Sequence, residues 1–109
     1  MQVTIIPAVA GWALIGFVME EEEGRNPLFY EEIIAWRVEV SGSVEGGDQE
    51  EYVKAVVKDP NGFGEEHWQF VGYLTPTGFE DEDGRRYSDA KEFIEGVRPL
   101  AERKARDRR

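Results

Sequence analysis

The sequence predicts an α+β domain: a mostly antiparallel sheet of about five strands with a C-terminal helix packed on one face. Three observations carry this. Strand-like segments come first, two of them built around a tryptophan, Gly11 to Met19 and Ile33 to Val40. One segment of helical period comes last, from about Ser88 onward. Turn signals at Asp59-Pro60-Asn61-Gly62 and at Asp83-Gly84 punctuate the strands. With 109 residues the chain reads as a single domain, 1–109, with a basic helical tail from about residue 98. Three Trp, four Tyr and six Phe within 40% apolar residues mark a chain that folds, not a disordered one.

Taken in order, Val3 to Ile6 is a first strand, closed by Pro7. Trp12 to Met19 is apolar at every position up to its end, the pattern of a central strand buried on both faces. Glu32 to Val40 alternates, with Ile34, Trp36, Val38 and Val40 on one face and Arg37 and Glu39 on the other. Ser41 to Asp48 is a Gly/Ser-rich connection, and Tyr52 to Lys58 is a further strand with Val53, Ala55 and Val57 on one face. His67 to Thr75 alternates again, which places Trp68, Phe70 and Leu74 together. In the helix, Asp89 with Glu92 makes a start resembling a capping box. Ala90, Phe93, Ile94, Val97 and Ala101 form the apolar stripe. Pro99 is expected to kink or end this helix near Val97, and Arg103 to Arg109, which lack an apolar stripe, are expected to fray.

One helix of about ten residues spans roughly 15 Å and covers one face of such a sheet. The second face is then polar, curled on itself, or buried against a partner. The doubly apolar Trp12 to Met19 argues against a polar one, so a homodimer or a heterologous protein partner is expected.

Charge narrows the function classes. Residues 1–97 hold 7 Lys/Arg against 21 Asp/Glu, a net −14, while residues 98–109 hold 6 against 2, a net +4. Such a body repels nucleic acid, whose binding depends on neutralising phosphates. The basic tail reads as cations complementing a helix C-terminus. Residues 1–19 carry no charged side chain, but Pro7, Gly11 and Gly16 interrupt the run, so buried strands explain it better than a membrane span. With no cysteine, disulfide and thiolate chemistry are excluded, and a cytoplasmic location is the expectation.

Catalytic signals are sparse. His67 is the sole histidine, and its neighbour Glu66 falls on the opposite face of an extended strand. Zinc would need cysteines or a second histidine. Glu80-Asp81-Glu82-Asp83-Gly84 fails the calcium-loop register, because Gly84 at the sixth position puts Phe79 at the first and Ala90 at the twelfth. No glycine pair is followed by the Lys-Ser/Thr of a phosphate loop. The expectation is no cofactor and no enzyme, with a small metal-dependent hydrolase using His67 and the 80–83 loop as an alternative. The acidic clusters Glu20, Glu21, Glu22, Glu23 and Glu80, Asp81, Glu82, Asp83 are the candidate partner-binding residues. Gathered on one face, they would imitate a phosphate array and occupy a basic groove on a partner.

Three strings carry a family resemblance: Ile5-Ile6-Pro7-Ala8 running on to Gly11-Trp12, then Ile33-Ile34-Ala35-Trp36-Arg37-Val38-Glu39, then Leu74-Thr75-Pro76 running on to Gly78. Over about half its length the chain thereby resembles a group of small uncharacterised proteins of bacteriophages and prophages. It departs from their pattern at Val9-Ala10, at Ala13 and in the order of Leu74-Thr75-Pro76. The resemblance implies a mobile-element origin and no catalytic residue. The leading expectation is a non-enzymatic accessory protein that binds a host or phage protein. The alternatives are a nucleic-acid-mimicking inhibitor of a bacterial defence nuclease, of anti-CRISPR or anti-restriction type, and a homo-oligomeric structural or virion-associated protein.

Overall fold

The computed structural model describes residues 2–19, 25–43, 48–59 and 63–108. Within them lie β1 (Gln2–Pro7), β2 (Ala13–Phe17), β3 (Leu28–Ser43), β4 (Asp48–Val57), β5 (Phe70–Thr75), β6 (Gly78–Asp81), β7 (Arg86–Tyr87) and α1 (Ala90–Asp107). All paired strands are antiparallel. The architecture is α+β, with one sheet and a C-terminal helix against it. It has more strands than the five expected, because residues 78–87 fold into the short hairpin β6–β7. The Glu20 to Glu23 run, the middle of the 41–48 connection and the Pro60-Asn61-Gly62 turn lie outside the described residues.

From Leu28 to Gly42 there is no proline and no earlier glycine, and β-branched or aromatic residues recur, so nothing stops an extended run. The result is a sixteen-residue strand, β3, on which the sheet is organised. Its first part pairs with β2, from Phe17 opposite Leu28 to Ala13 opposite Glu32. Further along the same edge, Ala35 to Val40 pairs with β1. Along its other edge, Ile33 to Ser43 pairs with β4. Between β1 and β2 the chain loops out, held by Ala8 N–H donating to Ile34 O at 3.1 Å and Ile33 N–H donating to Trp12 O at 3.0 Å. A bulge between Ile33 and Ala35 shifts the β4 register, so Ile33 and Trp36 join the same cluster.

The strand order β1-β3-β2-β5-β6-β7, with β4 on β3, divides the molecule into two regions. One is a body, built on β2, β5, β6, β7 and the start of β3. The other is a three-stranded arm of β1, β4 and the rest of β3. The molecule is accordingly elongated, 56 × 33 × 27 Å.

In the body both faces of β2 are covered, and all five of its residues are buried. One face carries Ile15 and Phe17, which pack with Leu28 and Val71 against Phe93, Val97 and Ala101 of α1. The other carries Leu14, which packs with Ile33, Phe63 and Phe70. The second face is therefore closed by the chain itself: Phe63, in the segment after β4, caps it and meets the Phe29 ring edge-on at 4.8 Å. Phe29 lies directly over Gly16, where a Cβ would run into the ring.

The helix start follows its sequence signals. Asp89 caps it by accepting from Glu92 N–H at 2.8 Å, and Glu92 reaches back to the Ser88 hydroxyl at 2.9 Å. The end does not. Pro99 lies inside an unbroken eighteen-residue helix about 27 Å long. Proline removes one helical hydrogen bond there, but the side chains on either side of it are anchored. Val97 and Ala101 are buried. Lys104 Nζ donates to Phe70 O at 2.6 Å and pairs with Glu82 at 2.7 Å. The Arg98 and Arg108 guanidiniums lie over the Phe17 and Trp68 rings at 5.3 and 4.6 Å. These contacts also explain why helix persists beyond Arg103, where fraying was expected. His67 to Gln69 is likewise not strand. His67 N–H donates to Gly64 O and Phe70 N–H to His67 O, both at 3.0 Å, so two turns precede β5. Trp68 packs towards Arg108 instead of alternating with Phe70.

Two substitutions test this account of the core in urea unfolding. Phe63→Ala uncovers the second face of β2 and is expected to cost about 3–5 kcal/mol. Lys104→Ala removes the tie between helix and sheet and is expected to cost about 1–3 kcal/mol.

Candidate functional site

Of the 80–83 carboxylates, Asp81 and Glu82 are engaged within the fold. Asp81 Oδ1 accepts from the N–H groups of Asp83 and Arg85, each at 2.9 Å, and its Oδ2 accepts from Tyr87 OH at 2.9 Å. Those bonds shape the β6–β7 turn, which Gly84 completes at φ +86°. Glu82 holds Lys104, and Glu80 is half-buried on β6. Asp83 is exposed. The other acidic candidates, Glu20 to Glu23, lie outside the described residues.

His67 is exposed, accepts from Gln69 N–H at its Nδ1 at 3.1 Å and stacks on Trp68 at 5.8 Å. Among the described residues no three His, Asp or Glu side chains converge to hold a metal ion. Among them, too, no helix is long and apolar enough to cross a membrane. Described residues line two depressions of note. One, of about 250 Å³, lies between the β6–β7 turn and α1 and is lined by Asp81, Asp83, Arg85 and Arg103 among others. The other, of about 400 Å³, is lined by Lys54, Ala55, Gly64, Glu65 and Glu66. Neither gathers a nucleophile with a base.

Glu65 is a carboxylate whose role the sequence did not reveal. Its Oε1 accepts from Ala55 N–H at 2.7 Å, and its Oε2 accepts a short hydrogen bond from Tyr73 OH. It thus ties β4 to β5 across the cap. Burial, and then the Glu65 carboxylate, push the Tyr73 phenol well above its ordinary value.

The arm is the feature that sequence patterning left unexplained. Its registers place Ile6, Trp36 and Ala55 in one row, Thr4, Val38 and Val53 in the next, and Gln2, Val40 and Glu51 in a third, all on one face. Trp12 meets Trp36 edge-on at 5.2 Å at the base of that face. Away from it, Ile6 and Val53 are 47% and 53% exposed. The opposite face carries Val3, Ile5 and Tyr52, also exposed, beside Lys54 and the Arg37–Glu39 ion pair at 2.7 Å. The helix packs on β5, β6 and β7 instead. An uncovered sheet with this much exposed apolar surface is the mark of an interaction site. The signal was legible in part: Gln2 to Pro7 is strand-forming and uncharged.

Comparison with protein-family models, curated proteins and solved structures finds no match to this chain.

The Glu65 tie predicts a pH signature. The Tyr73 phenol is raised above 10, so its contribution is fully present below pH 10 and is lost as pH rises through the folded value. Tyr73→Phe is expected to unfold at lower urea by about 1 kcal/mol at neutral pH, with the gap to the parent protein closing above pH 10.

Proposed function

We propose that this protein acts by binding another protein, not by catalysis, and that the three-stranded arm is the surface it uses. The observation that carries this reading is the apolar face Ile6, Val38, Val40 and Val53, with Ile6 and Val53 exposed, which among the described residues neither the helix nor the Phe63 cap covers. Such a face fits a partner that presents its own apolar strand or helix, with a basic residue at the rim to meet Glu51. The partner is a host or phage protein met in the cytoplasm, in keeping with the cysteine-free composition and the resemblance to mobile-element accessory proteins. The acidic loops then steer the encounter while the arm supplies the affinity.

The test is capture from host lysate on the tagged protein, at low and high salt, read by mass spectrometry. A discrete protein is expected to be retained at both salts by the parent and lost from Val53→Lys, whose side chain is exposed and outside the core. Capture that is equal for parent and variant and vanishes at high salt places binding on the acidic loops instead, as a nucleic-acid mimic would have it.

A further inference from the structure

Among the described residues the arm has two edges with no strand beside them, and they are treated differently. On β4, Trp36 and Ala55 face each other as a non-hydrogen-bonded pair, which turns Ala55 N–H outward. That outward donor is taken by the Glu65 carboxylate at 2.7 Å. Glu50, Glu51 and Lys54 add charge along the same strand. Charged side chains and an occupied backbone donor are the usual protection of an edge against pairing. At the far end of the sheet, β7 is two residues long and carries Arg86.

The β1 edge has none of these devices. Gln2–Pro7 is exposed along its whole length, and among the described residues it is the edge strand without a charged side chain. Ala8 N–H points to β3, bonded to Ile34 O, so by alternation Ile6 and Thr4 also bond inward. Val3, Ile5 and Pro7 therefore turn their backbone groups to solvent. Pro7 has no N–H to offer, the position where an edge strand tolerates proline. The outward set is then an N–H and a C=O on Val3, the same on Ile5, and a C=O on Pro7.

We infer that β1 pairs with β1 of a second copy of this chain, antiparallel about a two-fold axis through Thr4. In that register Val3 faces Ile5 of the second copy and Ile5 faces its Val3, so each pair exchanges both N–H···O bonds. Shifting the axis to Ile5 closes the same number of bonds but sets Val3 against Pro7, which cannot donate, so two of its pairs are left with one bond each where both pairs at Thr4 are complete. Charge selects the same place. Two chains of net charge −10 repel, and β1 with the Arg37–Glu39 pair beside it carries no net charge. The paired arms form one continuous six-stranded sheet, an isologous contact that closes on itself and cannot propagate. This pairing uses the strand edge, not the apolar face, so it stands independently of the protein partner proposed above.

The first test is mass by light scattering over a concentration series up to millimolar. The parent is expected at twice the 12.5 kDa chain mass. Thr4→Lys sets two like charges opposite each other on the axis, where Cα atoms are about 4.5 Å apart. It is expected at the single-chain mass with an unchanged circular dichroism spectrum, since Thr4 is exposed. A parent that stays at 12.5 kDa throughout, or a Thr4→Lys protein that stays dimeric, overturns the inference. The register has its own test, because the chain contains no other cysteine. Thr4→Cys is expected to cross-link to itself under mild oxidation at least ~10-fold faster than Ile5→Cys, its Cα spacing lying within disulfide range. Equal rates overturn the two-fold at Thr4. Ile5→Pro removes an outward N–H that β3 does not use, and its side chain lies on the face opposite Val53, so loss of the dimer with lysate capture intact in that variant separates this contact from partner binding.

Discussion

Strand β3 is the constraint from which the rest of the structure follows. Its first residues are buried in the body and its last stand in the arm, so one continuous backbone ladder joins two very different environments. The bulge between Ile33 and Ala35 makes this workable. Without the extra residue, alternation would carry Trp36 to the face opposite Ile33. With it, Leu14, Ile33 and Trp36 line a continuous apolar surface that runs from the body onto the base of the arm. The loop from Ala8 to Trp12 adjusts the opposite edge of β3 at the same point, which is why β1 and β2 are separate strands along that shared edge.

Body stability then rests on covering β2 twice. The helix covers one side with Phe93, Val97 and Ala101, and long cationic side chains extend that cover over the rims of Phe17, Phe70 and Trp68. The other side is capped by Phe63, in a segment without regular structure, fastened by Glu65 to strands on either side. Six Lys/Arg in the last twelve residues read as a solvated tail in isolation. In the structure Lys104 and Arg108 work as fasteners.

Much of the fold was legible because it is encoded locally. The doubly apolar β2, the Asp83-Gly84 turn and the Asp89 cap each rest on residues within one turn or one strand, and each lies where its chemistry points. What was missed depends on contacts distant in sequence. Pro99 disfavours helix by itself, and residues far upstream, Phe70 and Glu82 among them, hold the helix through it. Phe63 looks like a loop aromatic until Leu14 and Phe70 surround it. The alternation of His67 to Thr75 imitates a strand, but turn bonds at Gly64 and His67 take up the backbone first. The acidic clusters were legible as charge and not as structure, since nothing local says that Asp81 organises a turn or that Glu82 meets Lys104.

A strand shared between two environments has a dynamic consequence. Amide protons of β3 near Phe29 and Ile33 lie between buried clusters and open to solvent only when the body itself opens. Those beyond Val38, in the same unbroken strand, need only the arm to fray, with little apolar surface to expose in doing so. Deuterium uptake along this one strand should therefore run as a gradient, slow at its root and fast towards Ser43. The molecule behaves as a rigid hilt carrying a compliant blade, and the blade's stiffness becomes a readout of whatever docks on it.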